Sequence, residues 1–60
     1  MDTIRILLID DMQVVREGLR RMLEIESDFK VVGEASSAKE ALTLVESLSP
    51  EVILMDIKMP

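Results

Sequence analysis

Glu51-Val52-Ile53-Leu54-Met55-Asp56-Ile57-Lys58-Met59-Pro60 is an apolar run broken by one acid. Val52 to Met55 are consecutive apolar residues, and Ile57 lies just beyond. A short continuous run of this kind reads as a parallel strand with both faces covered. An ionised carboxylate is costly inside such a strand, so Asp56 is expected where the strand emerges, at its C-terminal end. Open α/β sheets place their ligand crevice at that same edge. Taken alone, Asp56 is equally well a solvated strand-end acid. The rest of the chain breaks the tie.

At the N-terminal side, Ile4-Arg5-Ile6-Leu7-Leu8-Ile9 is apolar except for Arg5 and rich in β-branched residues, so it predicts a first strand. It stops at Asp10 and Asp11, either of which can cap a helix by accepting from its free N–H groups. The helix is predicted over Met12 to Ile25, with Val15, Leu19, Met22 and Leu23 as its inward stripe. Arg16, Glu17, Arg20, Arg21 and Glu24 fall off that stripe. They are expected to form a solvated face, with Arg16–Arg20 and Glu17–Arg21 as i,i+4 neighbours. Gly18 costs about 1 kcal/mol relative to alanine inside a helix.

Phe29-Lys30-Val31-Val32-Gly33-Glu34-Ala35 predicts a second strand, at an edge that Lys30 and Glu34 would blunt. Gly33 is a candidate twist or bulge, and Phe29 a lid on the core. Ser37-Ala38-Lys39-Glu40 matches a capping box, and the second helix is predicted to run to Leu48. Its expected inward residues are Ala38, Ala41, Leu42, Val45 and Leu48. Pro50 ends it, because proline disfavours helical geometry in the residue before it. The order is β-α-β-α-β with short joints. Right-handed crossovers then give an α/β unit of three parallel strands in order 2-1-3, with one helix on each face.

The chain has 60 residues, 48% of them hydrophobic. An unfolded chain of this mass exposes roughly 10,000 Å², of which folding hides about 60%. Apolar burial then contributes on the order of 80 to 90 kcal/mol. Ordering the chain costs about 90 kcal/mol, so the unit is expected to need a partner, a ligand or a second copy. There is no cysteine and no histidine, which excludes disulfides, thiolate metal sites and His-based catalysis. The net charge of −5 argues against nucleic-acid binding by this segment. No apolar run reaches membrane-spanning length and the N-terminus lacks a signal-peptide pattern, so a cytoplasmic location is expected.

Strands one and three, side by side and parallel, bring Asp10 and Asp11 close to Asp56. Three carboxylates at one crevice repel one another, and a hard divalent cation relieves that repulsion. Magnesium suits one or two carboxylates, a carbonyl and several waters, and favours phosphate-bearing partners. A carboxylate can also attack phosphorus to give an acyl phosphate. The bland alternative is two capping acids and a solvated Asp56, but capping needs only one acid.

Ile6-Leu7-Leu8-Ile9-Asp10-Asp11, followed by Val52-Ile53-Leu54-Met55-Asp56-Ile57-Lys58-Met59-Pro60, resembles the first half of a two-component response-regulator receiver domain. Val14-Val15-Arg16-Glu17-Gly18-Leu19 and Val31-Val32-Gly33-Glu34-Ala35 resemble the NarL/LuxR type in particular. The likeness implies a flavodoxin-like fold and a phosphorelay function. It implies that Asp56 is the phosphoacceptor for a histidine kinase. It further implies that Asp11 ligates Mg2+ directly, that Asp10 supports it, and that the backbone carbonyl of Lys58 is another ligand. Pro60 would begin the loop after the site. The parent would be a helix-turn-helix transcription factor and not an enzyme.

Receivers of this kind have five strands, so residues 1–60 are expected to be a partial receiver domain without an output domain. The family's switch hydroxyl on strand four and lysine on strand five have no counterpart in these residues, so signalling is expected to be impaired. The alternative is a self-associating half-domain with a structural role, a homodimer through strand three, edge-paired or with an element exchanged. An aspartyl phosphohydrolase is disfavoured, because its second acid would fall at Lys58. A dinucleotide site is excluded by Asp-Asp-Met-Gln where glycines would stand.

Overall fold

The computed structural model describes residues 3–56. Five elements follow one another: β1 (Ile4–Ile9), α1 (Gln13–Ile25), β2 (Phe29–Ala35), α2 (Ala38–Leu48) and β3 (Val52–Met55). The strands form one parallel sheet in the order β2-β1-β3, as the crossover rule predicts. β1 is central, and its apolar run is buried on both faces. Ile6, Leu7, Leu8 and Ile9 are each no more than 3% exposed.

Alternation along the strands sends successive side chains to opposite faces. Leu7 and Ile9 join Ala35 and Ala41 in a core cluster, against which Leu44 and Val45 of α2 pack. Gly33 lies on the same face. A Cβ there would come within 2.6 Å of Leu48 Cδ1 and 3.3 Å of Leu7 Cδ1, so the missing side chain is what admits α2. Glu34, the next residue, faces the other way and is gripped by Arg16 and Arg20 of α1. The two helices therefore cover opposite faces. The register steps from Ile6↔Val31 to Leu7↔Gly33, leaving Val32 as an extra residue in β2. This is the irregularity expected beside Gly33.

The inward stripe of α2 is Ala41, Leu44, Val45 and Leu48, at i, i+3, i+4 and i+7. Leu42, expected inside, is 70% exposed, and Ala38 is exposed too. The sheet selects the rotation centred on Leu44, which carries Leu42 off the contact face. On α1, Leu19 and Leu23 are half-buried, but Met22 is 67% exposed and no residue is fully buried. The solvated charged face also differs from expectation. Arg16 and Arg20 turn to Glu34, and Glu17 accepts from Gln13 Nε2 at 3.3 Å. Glu34 thus anchors a helix and does not guard an edge.

Among the described residues, β3 pairs along one side only, with β1, through Ile6↔Val52 to Ile9↔Met55. Its four side chains are 39–51% exposed, so the coverage of both faces expected for this strand is not met among the described residues. The α2–β3 joint is held by Arg5, whose Nη1 donates to the Ser49 carbonyl at 3.1 Å. Ser49 itself closes α2 in the left-handed region, at φ 47°.

Candidate functional site

The site grows from the ends of two neighbouring strands. Ile9 pairs with Met55, and the Asp56 N–H donates to the Ile9 carbonyl at 3.1 Å. Asp10 and Asp56 therefore leave the sheet side by side, as expected from two parallel strands that each end in an acid. Asp10 is only 4% exposed, Asp56 is half-buried and Asp11 is exposed.

Asp10 is fixed at three points. Its N–H donates to the Ala35 carbonyl at 3.0 Å, which ties it to the end of β2. Its Oδ1 accepts from the Met12 N–H at 2.9 Å, closing a tight turn ahead of α1. Its carbonyl accepts from Arg16 Nη1 at 2.7 Å. Neither acid caps α1 as expected: the N-cap is Met12, without a side-chain bond, and the Asp10 carboxylate is engaged one step earlier.

One carboxylate oxygen from each of Asp10, Asp11 and Asp56 can be chosen so that all lie within 4.8 Å of one another. Octahedral magnesium with bonds of about 2.1 Å holds its ligands roughly 3 to 4.2 Å apart. The three oxygens are thus within a small side-chain adjustment of that spacing, and their chemistry is that of a hard cation. Oxygen donors with no sulfur or imidazole among them suit magnesium rather than zinc. Beside them runs an open groove of about 490 Å³, lined by Ile9, Asp10, Val15, Leu19, Leu54, Met55 and Asp56. Its walls are largely apolar and its acidic end is the cluster. Lys58, whose carbonyl was expected to be a ligand, and Pro60 lie outside the described residues.

Arg16 is the residue near the site that sequence reasoning missed. Its Nη1 holds Asp10 while its Nε donates to Glu34 Oε1 at 3.2 Å. The available signal was its place in the first turns of a helix that follows two acids.

The chain matches the family model described as the response regulator receiver domain over residues 6–60. It is 54% identical over 56 residues to the transcriptional regulatory protein LiaR of Bacillus subtilis, covering 93% of this chain and 26% of that protein. It is 46% identical over 55 residues to the nitrate/nitrite response regulator NarL of Escherichia coli, covering 92% of this chain and 26% of that protein. Among solved structures, it resembles the signal receiver domain of a response regulator assigned as NarL from Mycobacterium tuberculosis. The TM-score is 0.93 at 37% identity, covering 100% of this chain and 48% of that one. The chain thus spans about a quarter of the length of these curated relatives and about half of the solved receiver.

Proposed function

The chain belongs to the response regulator receiver domain family, in its NarL/LuxR branch, and on that premise we propose that Asp56 is its phosphate acceptor. The donor is a phosphohistidine on a histidine kinase. An Asp56 carboxylate oxygen attacks phosphorus, the histidine N–P bond breaks, and the electron pair stays on the imidazole nitrogen. The observation that carries this reading is the convergence of Asp10, Asp11 and Asp56 at the C-terminal ends of adjacent parallel strands.

Asp10, Asp11 and the acceptor Asp56 are the residues that would hold Mg2+; the further ligand expected from the Lys58 carbonyl lies outside the described residues. The ion supplies neutralisation of the phosphoryl oxygens. Asp10, buried and triply bonded, sets the position of the cluster, while the exposed Asp11 meets the solvent side. Residues 1–60 act as a partial receiver whose longer parent regulates transcription from the cytoplasm. DNA contact belongs to other parts of that parent, since this segment carries a net charge of −5. No helix among the described residues is long and apolar enough to cross a membrane.

Acetyl phosphate labelling with magnesium, borohydride trapping and peptide mass spectrometry test the acceptor. Label is expected on Asp56. Label that persists in Asp56→Asn would overturn the assignment.

A second reading is favoured by one observation, the half-exposed β3. Taken by themselves, the 60 residues associate as a closed two-fold homodimer across this strand. Antiparallel pairing is preferred over element exchange, because it sends the two acid clusters to opposite ends of the joined sheet.

A further inference from the structure

Arg16 sits in the second layer around the acids, and its bonds differ in kind from those of its neighbour Arg20. Both arginines share Glu34: Arg16 Nε meets Oε1 at 3.2 Å and Arg20 Nη1 meets Oε2 at 3.0 Å. Arg16 alone also reaches the site, through the 2.7 Å bond from Nη1 to the Asp10 carbonyl. Its side chain is 16% exposed against 40% for Arg20, so its bonds are the better shielded from water. We infer that Arg16 is a positioning residue for the acid cluster, holding the Asp10–Asp11 peptide in the orientation that lets both carboxylates converge with Asp56 on a divalent cation.

The geometry explains how. The Asp10 carbonyl and the Asp11 N–H belong to one rigid peptide plane. Fixing the carbonyl therefore fixes the direction in which the chain enters Asp11. The Asp10 N–H and carboxylate are engaged by Ala35 and Met12, and the carbonyl is the atom through which Arg16 holds this plane. Glu34 in turn holds the guanidinium fork in place, linking β2, α1 and the site loop through a single planar group. A lysine has the charge but lacks the fork, and cannot grip both partners in the same way.

The inference rests on the magnesium reading, and the test separates the two. With one phenylalanine and no tryptophan or tyrosine, the 60-residue chain has no useful intrinsic fluorescence, so Mg2+ is titrated by amide NMR. Arg16→Gln is expected to weaken Mg2+ binding about tenfold, the lower end of what removing an outer-shell partner does. Arg16→Lys is expected not to restore it. Arg20→Gln removes the other bond to Glu34 and is expected to leave affinity within twofold while lowering the melting temperature. Glu34→Gln, a milder change that leaves the guanidinium present, is expected to fall between, and serves if Arg16→Gln does not fold. Affinity unchanged in Arg16→Gln, equal losses in Arg16→Gln and Arg20→Gln, full rescue by lysine, or, should Arg16→Gln not fold, no loss in Glu34→Gln would overturn the inference. A folded wild-type chain with no Mg2+ response would instead overturn the site reading and the inference with it.

Discussion

Gly18 and Gly33 show how one residue type takes opposite roles. A Cβ at Gly18 would meet nothing within 4 Å, so the glycine there contributes only its backbone freedom to the unfolded chain. Gly18→Ala is expected to stabilise the fold by about 1 kcal/mol, read as a rise of several degrees in melting temperature. At Gly33 the added carbon would press on Leu48 and on the buried Leu7. Leu48 can rotate at the helix end, so Gly33→Ala is expected to cost about 1 to 2 kcal/mol and not to abolish folding. A urea titration of both variants checks the pair, and equal effects would contradict the packing assigned to α2. At this scale the acids were legible in the sequence, because a charge that ends an apolar run has few places to go. The role of Arg16 was not. Its partner Glu34 is 18 residues away, and only the closure of β2 onto β1 brings them together.

The helices differ in how they begin. Ser37 Oγ accepts from the Glu40 N–H at 3.2 Å, so the capping serine in the sequence does what its position predicts. Glu40 turns its own carboxylate to Ser36 Oγ at 3.1 Å and adds a local bond outside the helix. Ser37→Ala is expected to cost about 1 kcal/mol. α1 has Met12 at the corresponding position and no side-chain bond, so Met12→Ser is expected to gain a similar amount. Thermal unfolding followed by circular dichroism checks both, and a loss in Met12→Ser would show that the thioether packs usefully. Element boundaries were legible because β-branched runs, the capping serine and Pro50 punctuate the chain. Helix rotation was less so. Leu42 and Leu44 both fit an apolar stripe that includes Ala41, Val45 and Leu48, and only the surface offered by Leu7, Gly33 and Ile9 decides between them.

For the whole molecule, β1 carries the burial, and β3 is a strand whose four apolar residues are all exposed. Ile53, 44% exposed, lies in the middle of that strand and pairs with Leu7. Ile53→Lys in the 60-residue chain is expected to shift sedimentation from dimer toward monomer and to lower the melting temperature. A concentration-independent monomer for the wild type would remove the self-associating reading while leaving the acid cluster intact. The cluster does not depend on that association, because the parallel order β2-β1-β3 places Asp10 and Asp56 at neighbouring strand ends within one chain.

The most direct test of that cluster is the melting temperature of the chain with and without Mg2+, in the wild type and in Asp56→Asn. At a tenfold excess over its dissociation constant, a bound ion stabilises by about 1.4 kcal/mol. In a chain this small that is a rise of roughly 5 to 10 °C. The wild type is expected to show this rise. Asp56→Asn, with one fewer charge in the cluster, is expected to start no lower without magnesium and to gain much less from it. A folded wild type whose melting temperature ignores magnesium, or an Asp56→Asn variant that gains as much, would contradict convergence of the three acids on a cation.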